Sequence, residues 1–316
     1  MADNTPAGIV SADAAAIVEA ALRVAAGALV AVPTETVYGL AARADSEEAV
    51  AAIYRAKGRP DFNPLIVHVL DLAQASTLAL LDDRAHKLAD AFWPGALTMV
   101  LPKLENAPLA AVVTAGLPTI ALRCPAHPVM RAVLETSGLP LAAPSANRSG
   151  GVSPTSAAHV AASLGGKAGL ILDGGTCAQG IESTIIALRE NGGWQVLRPG
   201  PITQAQLSAI LGTEPDAIAP DSGIEAPGQL ASHYAPGKPV RLEARLAEEG
   251  EFHLGFGAVT GHFNLSPTGD LAEAAARLYA GLHEAALSPQ PRVAVAPIPD
   301  EHIGAAINDR LRRAAA

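Results

Sequence analysis

The sequence is short of several features that would point to familiar chemistries. It has only two cysteines, Cys124 and Cys177, far apart and in no C-x-x-C pair. That argues against a disulfide framework and against a cysteine zinc site. Aromatic residues make up 3%, so platforms on which bases could stack are scarce. Lysine and arginine number 22 against 31 aspartates and glutamates, a formal net charge of −9, whereas a broad nucleic-acid-binding face carries a basic surplus. No window is apolar for the length a bilayer-spanning helix needs, and the start, MADNTPAGIV, lacks the basic and apolar regions of a secretory signal. The chain therefore reads as cytoplasmic, with no membrane partner. Two standard nucleotide motifs are missing as well. Ala161 stands where a P-loop ending in Gly166-Lys167 needs its first glycine, and Gly255, Gly257 and Gly261 miss the dinucleotide spacing by one residue. No Ser/His/Asp arrangement or H-E-x-x-H motif supports a hydrolase.

What is present is apolar substance and polar loops. Hydrophobic residues form 49% of 316 residues, enough for a sizeable core and two domains. The stretch from Ala31 to Val69 organises the chain. It reads as a short buried strand, a polar turn (Pro33-Thr34-Glu35-Thr36), a helix capped by Ser46 and ended by Gly58 and Pro60, and a second strand over 64–70 that is apolar on both faces. Val50, Ile53, Tyr54 and Lys57 share one helical face, so Lys57 points inward. Helices are expected over 11–27, 82–92, 127–136, 155–164 and 203–211. Further strands are expected over 97–101, 119–122, 141–143, 170–172, 184–188 and 195–197. Between Gly212 and Pro239 the composition turns rich in Pro, Gly and Ala without a period, the mark of a linker. Strands over 252–256 and 293–296 with helices over 271–287 and 303–313 make a second, smaller α/β unit.

Candidate site residues each have an ordinary reading beside the functional one. Lys57 and Arg59 are a cation pair at a helix C-terminus, favourable there in any protein, or a point charge and a planar fork for phosphate oxygens. Ser145 and Asn147 belong to a polar loop before a helix, or to a phosphate and ribose loop following a strand. His68 is a lone histidine in an apolar run. Thr34 and Thr36 could serve only their turn, Arg123 and Arg198 could be surface charges, and Glu182-Ser183-Thr184 could simply begin a strand. Their shared position at strand ends favours a site.

The segments PTETVYGLAARA, YRAKGRPDFNPLIVHV, PGALTMVLP, TIALRCPAHP, LAAPSANRSGGVSPTSA, GIESTII and VLRPG together resemble the threonylcarbamoyl-AMP synthases, the YrdC-type family, nearly continuously over 12–212. The K-x-R and S-x-N signature falls on Lys57/Arg59 and Ser145/Asn147. SHYAPGKP, NLSPTGDLAEAA and AINDRL resemble the long, two-domain form, although Ala226 stands where many members have serine and the second domain is shorter than usual. The resemblance implies an α/β fold: a YrdC-like twisted, mixed, open sheet with flanking helices over 1–212, a linker or lid over 213–239, and a small Rossmann-like domain over 240–316.

It also implies a nucleotidyltransferase that makes L-threonylcarbamoyl-AMP and pyrophosphate from L-threonine, bicarbonate or CO2, and ATP. A separate tRNA threonylcarbamoyl transferase complex would use the product, with no stable tRNA binding by this chain. Lys57, Arg59, Ser145 and Asn147 would be the catalytic set. Asn63, Thr119, Ser153, Arg198 and Tyr234 would join them on the ATP side. Thr36, His68, Arg123, Ala143 and Ser183 would line the threonine side, with Thr34 close by and Arg123 facing the carboxylate. No protein-bound metal is implied, and Mg2+ is expected on the ATP phosphates. Ser232-His233-Tyr234 would fold over the pocket as a lid. The alternatives are a carbamoyl-adenylate-forming relative, whose cysteine motifs this chain lacks, and a non-enzymatic RNA-binding module, which its charge opposes.

Overall fold

The computed structural model describes residues 8–60, 62–218, 223–229 and 232–316. Those parts of the expected first domain and linker that fall on 1–7, 61, 219–222 and 230–231 lie outside the described residues.

The first unit opens with strand β1 (Gly8–Ser11) and helix α1 (Ala14–Ala25), which Asp13 caps through the amide of Ala16. Strands β2 (Val30–Val32) and β3 (Gly39–Arg43) follow, then α2 (Glu47–Lys57), whose N-cap is Ser46 and whose C-cap is Gly58. Next come β4 (Ile66–His68), α3 (Leu72–Ser76), α4 (Asp83–Phe92), β5 (Leu97–Pro102) and β6 (Thr119–Arg123). The unit closes with α5 (Pro128–Ser137), β7 (Leu141–Ala142), α6 (Ala157–Leu164), β8 (Leu170–Asp173), β9 (Thr184–Leu188), β10 (Trp194–Arg198) and α7 (Gln204–Leu211). Its strands form one mixed ten-stranded sheet in the order β1-β8-β2-β3-β7-β4-β6-β5-β9-β10.

The second unit holds β11 (Val240–Arg241), β12 (Glu251–Gly255), β13 (Phe263–Asn264), α8 (Leu271–Leu287), β14 (Arg292–Val295) and α9 (Gly304–Ala315). Its four strands, ordered β11-β14-β12-β13, are all parallel. Among the described residues, no helix is long and apolar enough to cross a membrane.

The organising stretch needs a correction. It is not a simple strand, helix and strand: β3 intervenes, antiparallel to β2, and both β3 and β7 separate β2 from β4. Leu40-Ala41-Ala42 offers no alternation, and alanine has little intrinsic strand preference; burial on both sides makes it a strand. The expected seven-residue strand over 64–70 also shortens to Ile66–His68. On either side the backbone bonds irregularly, Leu65 N to Val113 O and Val69 N to Arg123 O. Strand β1, exposed along its whole length at the sheet edge, was not expected, because burial left no pattern in it.

The two units share a core. Val37, Val152, Ile181 and Tyr234 belong to the same apolar cluster as Phe252, Leu254, Leu278 and Tyr279. A hydrophobic contact of this kind fixes one unit against the other, and it lies beside the cavity described next.

Candidate functional site

A cavity of about 50 Å3 opens where β4 and β6 end, β9 begins and β10 ends, and Pro227, Gly228, His233 and Tyr234 of the connecting segment form its outer wall. Of the residues expected at a site, it is lined by Thr34, Thr36, Arg59, His68, Arg123, Ala143, Ser145, Ser183, Arg198 and Tyr234.

On one side Thr34 Oγ1 donates to the Val37 carbonyl (2.6 Å), and Thr34 and Thr36 Oγ1 lie 2.9 Å apart. Because the Thr34 proton is used, Thr36 donates to Thr34. Thr36 in turn accepts from Arg123 Nη1 at 2.9 Å. The chain from guanidinium through two hydroxyls to a carbonyl has a fixed direction and is mutually polarising. Arg123 is not the free carboxylate partner expected from sequence. It donates to Gly95 O (3.1 Å) and forms a buried ion pair with Glu35. Burial pushes the Glu35 carboxyl up, but the charge and hydrogen bond of Arg123 together outweigh this, and the net shift is downward. The guanidinium keeps N–H groups beyond these bonds, so a ligand carboxylate would share it with Glu35. His68 is driven to about 3 by burial and then by Arg123, so it is neutral. Its Nδ1 is buried without a hydrogen-bond partner among the described residues.

On the other side Arg59 donates to the carbonyls of Asn63 (3.3 Å) and Pro64 (3.0 Å). Burial lowers its pKa to about 10, which leaves it charged at neutral pH. Arg198 donates to Ser183 O (3.0 Å), Ser183 Oγ (3.1 Å) and Pro227 O (3.4 Å). Ser183 Oγ also meets Thr98 Oγ1 at 2.8 Å. Ser183 and Arg198, expected on opposite substrate sides, are thus bonded to each other.

Five expected residues do not line the cavity. Lys57 is buried, and its Nζ donates to the carbonyls of Ser145 and Asn147. Burial, then Arg59, lowers its pKa well below the usual lysine range. The inward phase of α2 is responsible: it carries the ammonium behind the loop rather than into the cavity. Asn147 spends its amide on Arg148 O and Gly151 O, both at 2.8 Å, so it holds its own loop. Ser153 donates to Glu182. Asn63 and Thr119 sit at the opposite end of the β4–β6 strip from His68 and Arg123, across the length of β6, roughly 13 Å at ~3.3 Å per residue. The expected residues therefore do not all gather at one end of the strands.

Sequence reasoning missed Glu35, Pro227 and Gly228 as site residues and weighed Glu182 only as part of a strand entry. Glu182 lines the cavity and accepts from Ser153, from Tyr279 Oη (2.7 Å) and from Arg310 Nε (3.1 Å). Pro227-Gly228 looked like linker punctuation. Gly228 has φ +87°, and a Cβ there would stand 2.8 Å from Arg198 Cδ and 3.2 Å from Tyr234 Oη. His233 and Tyr234, the latter at φ 64°, complete the wall, their rings 4.1 Å apart edge to face. Among the described residues no group of three or more His, Cys, Asp or Glu is placed to hold a metal.

Fold and cavity define an α/β protein whose sheet presents arginines to a small chamber, closed by a segment that a second domain holds in place. Residues 23–200 match the family described as Sua5/YciO/YrdC, telomere recombination, and residues 202–316 match the threonylcarbamoyl-AMP synthase C-terminal domain. The chain belongs to the Sua5/YciO/YrdC family. It is 45% identical to the threonylcarbamoyl-AMP synthase of Bacillus subtilis over 72% of this chain and 66% of that one. It is 47% identical to that of Pyrococcus abyssi over 68% of this chain and 64% of that one. The chain thus spans just under two thirds of the length of these curated relatives. The crystal structure of P. abyssi Sua5 complexed with L-threonine is similar at a TM-score of 0.88 and 36% identity, covering 98% of this chain and 97% of that one. E. coli YciO, at 23% identity, a TM-score of 0.53, and coverage of 62% of this chain and 96% of that one, shares the fold.

Proposed function

We propose that the protein is an L-threonylcarbamoyladenylate synthase, with a catalytic unit over 1–212, a covering segment over 213–239 and a small domain over 240–316. One observation carries the reading. A hydroxyl and guanidinium wall (Thr36, Arg123, His68) and a wall of Arg59, Ser145, Arg198 and Tyr234 line the same cavity, in a chain similar to a Sua5 complexed with L-threonine.

Threonine, as its amine, combines with CO2 or bicarbonate to give a carbamate; from bicarbonate, water is lost. A carbamate oxygen then attacks the α-phosphorus of ATP, and pyrophosphate leaves. Both partners are anionic, so the protein must screen repulsion and hold the attack in line. Arg59 and Arg198 supply the screening, Ser145 a hydroxyl, and Lys57 holds the carbonyls of the 145–147 loop from behind. Asn63 and Thr119 take the base end of the nucleotide, and Asn147 and Ser153 support the loops around it. Thr34, Thr36, Ala143 and Ser183 shape the threonine side, where Arg123 shares its remaining donors with the carboxylate. Neutral His68 contributes its unpartnered Nδ1 as a hydrogen-bonding group. Mg2+ arrives as the ATP complex, carried by phosphate oxygens and water. The product passes to a tRNA threonylcarbamoyl transferase complex.

The test is to incubate the protein with ATP, L-threonine and bicarbonate, and to measure pyrophosphate and the mass of threonylcarbamoyl-AMP. Both should depend on threonine. Pyrophosphate release indifferent to threonine would overturn the reading.

A further inference from the structure

We infer that Arg310, a residue of the second domain outside the cavity, is a positioning residue that sets the nucleotide wall from behind. Like the residues it would act on, it rests on the synthase reading. Arg310 is fully buried on α9, and its fork ends on three separate parts of the wall. Nε and Nη2 reach the Glu182 carboxylate (3.1 Å) and carbonyl (3.4 Å), one residue before Ser183. Nη1 donates to Pro199 O at 2.7 Å, one residue after Arg198. The guanidinium carbon lies 5.5 Å from the centre of the Tyr234 ring. Asp309 fixes the fork by accepting from Nη1 at 2.9 Å. One side chain therefore backs the start of β9, the end of β10 and the covering segment together.

A buried Arg–Glu pair is no better for stability than apolar residues of the same volume, so stability alone does not account for this arrangement. Charge gives it a purpose. Glu182 is the carboxylate in a wall that would face a triphosphate. Arg310 neutralises it from the side away from the cavity, leaving Arg59 and Arg198 free to act on anions. Two of the three contacts fall beside Arg198 and on Tyr234, on the nucleotide side, and one falls beside Ser183, so its effect should be larger on ATP than on threonine.

The experiment uses the full chain. Arg310→Gln should raise KM for ATP at least tenfold while KM for threonine stays within threefold. Removing both charges in Glu182→Gln/Arg310→Gln relieves the unpaired buried carboxylate, so this variant folds even if the single one does not. Its KM for ATP should fall below that of Arg310→Gln, yet stay at least threefold above the unmodified protein, because Pro199 and Tyr234 still lack their partner. Assays run at least 15 °C below each melting temperature, per folded molecule. A purely structural staple would move both KM values together, or neither, and either result overturns the inference. Amide exchange over 232–236, read without any substrate, should quicken at least tenfold in both variants, and unchanged exchange also overturns it. An unmodified protein inert toward ATP and threonine would sink the synthase reading while leaving the exchange measurement to decide this one.

Discussion

Replacing Lys57 by methionine separates two accounts of this residue. Sequence alone suggests a point charge on phosphate. In the folded chain its Nζ is buried and bridges the carbonyls of Ser145 and Asn147. A charged donor to a carbonyl contributes ~1.5–3 kcal/mol, so two such bonds represent roughly 3–6 kcal/mol gross. Burying the ammonium opposes this, as its lowered pKa indicates. A net loss of about 2 kcal/mol is a reasonable centre, equivalent to a fall in Tm of ~3 °C for a chain of this size. Methionine keeps the stem packed, so the fall reports the ammonium rather than a cavity. Turnover should also drop at least ~100-fold, about 2.7 kcal/mol, as the 145–147 loop loses its tie and the phosphates lose a nearby charge. Differential scanning calorimetry without ligand, paired with pyrophosphate release, measures both. A lysine that only binds phosphate would be relieved of its desolvation cost on replacement, and the ligand-free protein would gain stability. A Tm unchanged or raised would therefore refute the bridging role.

Arg59→Ala should lower pyrophosphate release by at least ~100-fold; wild-type turnover would place the phosphates elsewhere. Gly228→Ala forces a Cβ to 2.8 Å from Arg198 Cδ in a left-handed backbone. It should cost ~1–2 kcal/mol in conformation alone and reduce turnover at least tenfold, and kinetics equal to wild type would show that the segment does not press on Arg198. Acid should destabilise the protein early. Burial holds His68 and His233 to about 3 in the folded state, below the unfolded ~6.5. Between those values only the unfolded chain takes up the proton, so stability is full above ~6.5 and declines as pH falls, by up to ~2 kcal/mol per histidine at pH 5. The Glu182 carboxyl acts lower in pH. Burial raises it, but Arg310, Arg198 and its hydrogen bonds outweigh this and bring it to about 2, so its contribution is present above ~4.5 and lost toward 2. Urea titrations at pH 7.5, 6 and 5 check the histidine slope, and a flat profile across them would contradict the buried neutral rings.

How much of this could be read beforehand depended on the range of the interactions involved. Helix α2 was legible to its caps because its determinants are local: Ser46, Glu47, Glu48 and Gly58 all act within a turn of the helix ends. Strand β3 was not, since Gly39-Leu40-Ala41-Ala42 becomes a strand only between β2 and β7. The same division runs through the site. Lys57, Arg59, Ser145 and Asn147 stood out as types in a motif, but which of them faces the cavity is decided by the rotational phase of α2 and by carbonyls distant in sequence. Glu35 went unnoticed as a site residue, and the role of Glu182 could not be assigned, because each acquires its meaning from an arginine far along the chain, Arg123 for one and Arg310 for the other.

The size of the cavity adds a constraint that no motif contains. At about 50 Å3 it has room for a few waters, whereas ligand pockets of drug-like size begin near ~300 Å3. Asn63 and Thr119, the proposed base contacts, lie outside it. Room for a nucleotide at Arg198 would come from an outward shift of Gly228 and Tyr234, which share its wall. The wall they leave is held by Ser183, Thr98 and Arg310, and also by Pro227 of the covering segment itself. An outward shift of Gly228 and Tyr234 would give up the Arg198–Pro227 bond and the Arg310–Tyr234 contact while Ser183 still holds Arg198, and closing over the substrates would exclude water from a labile carbamate.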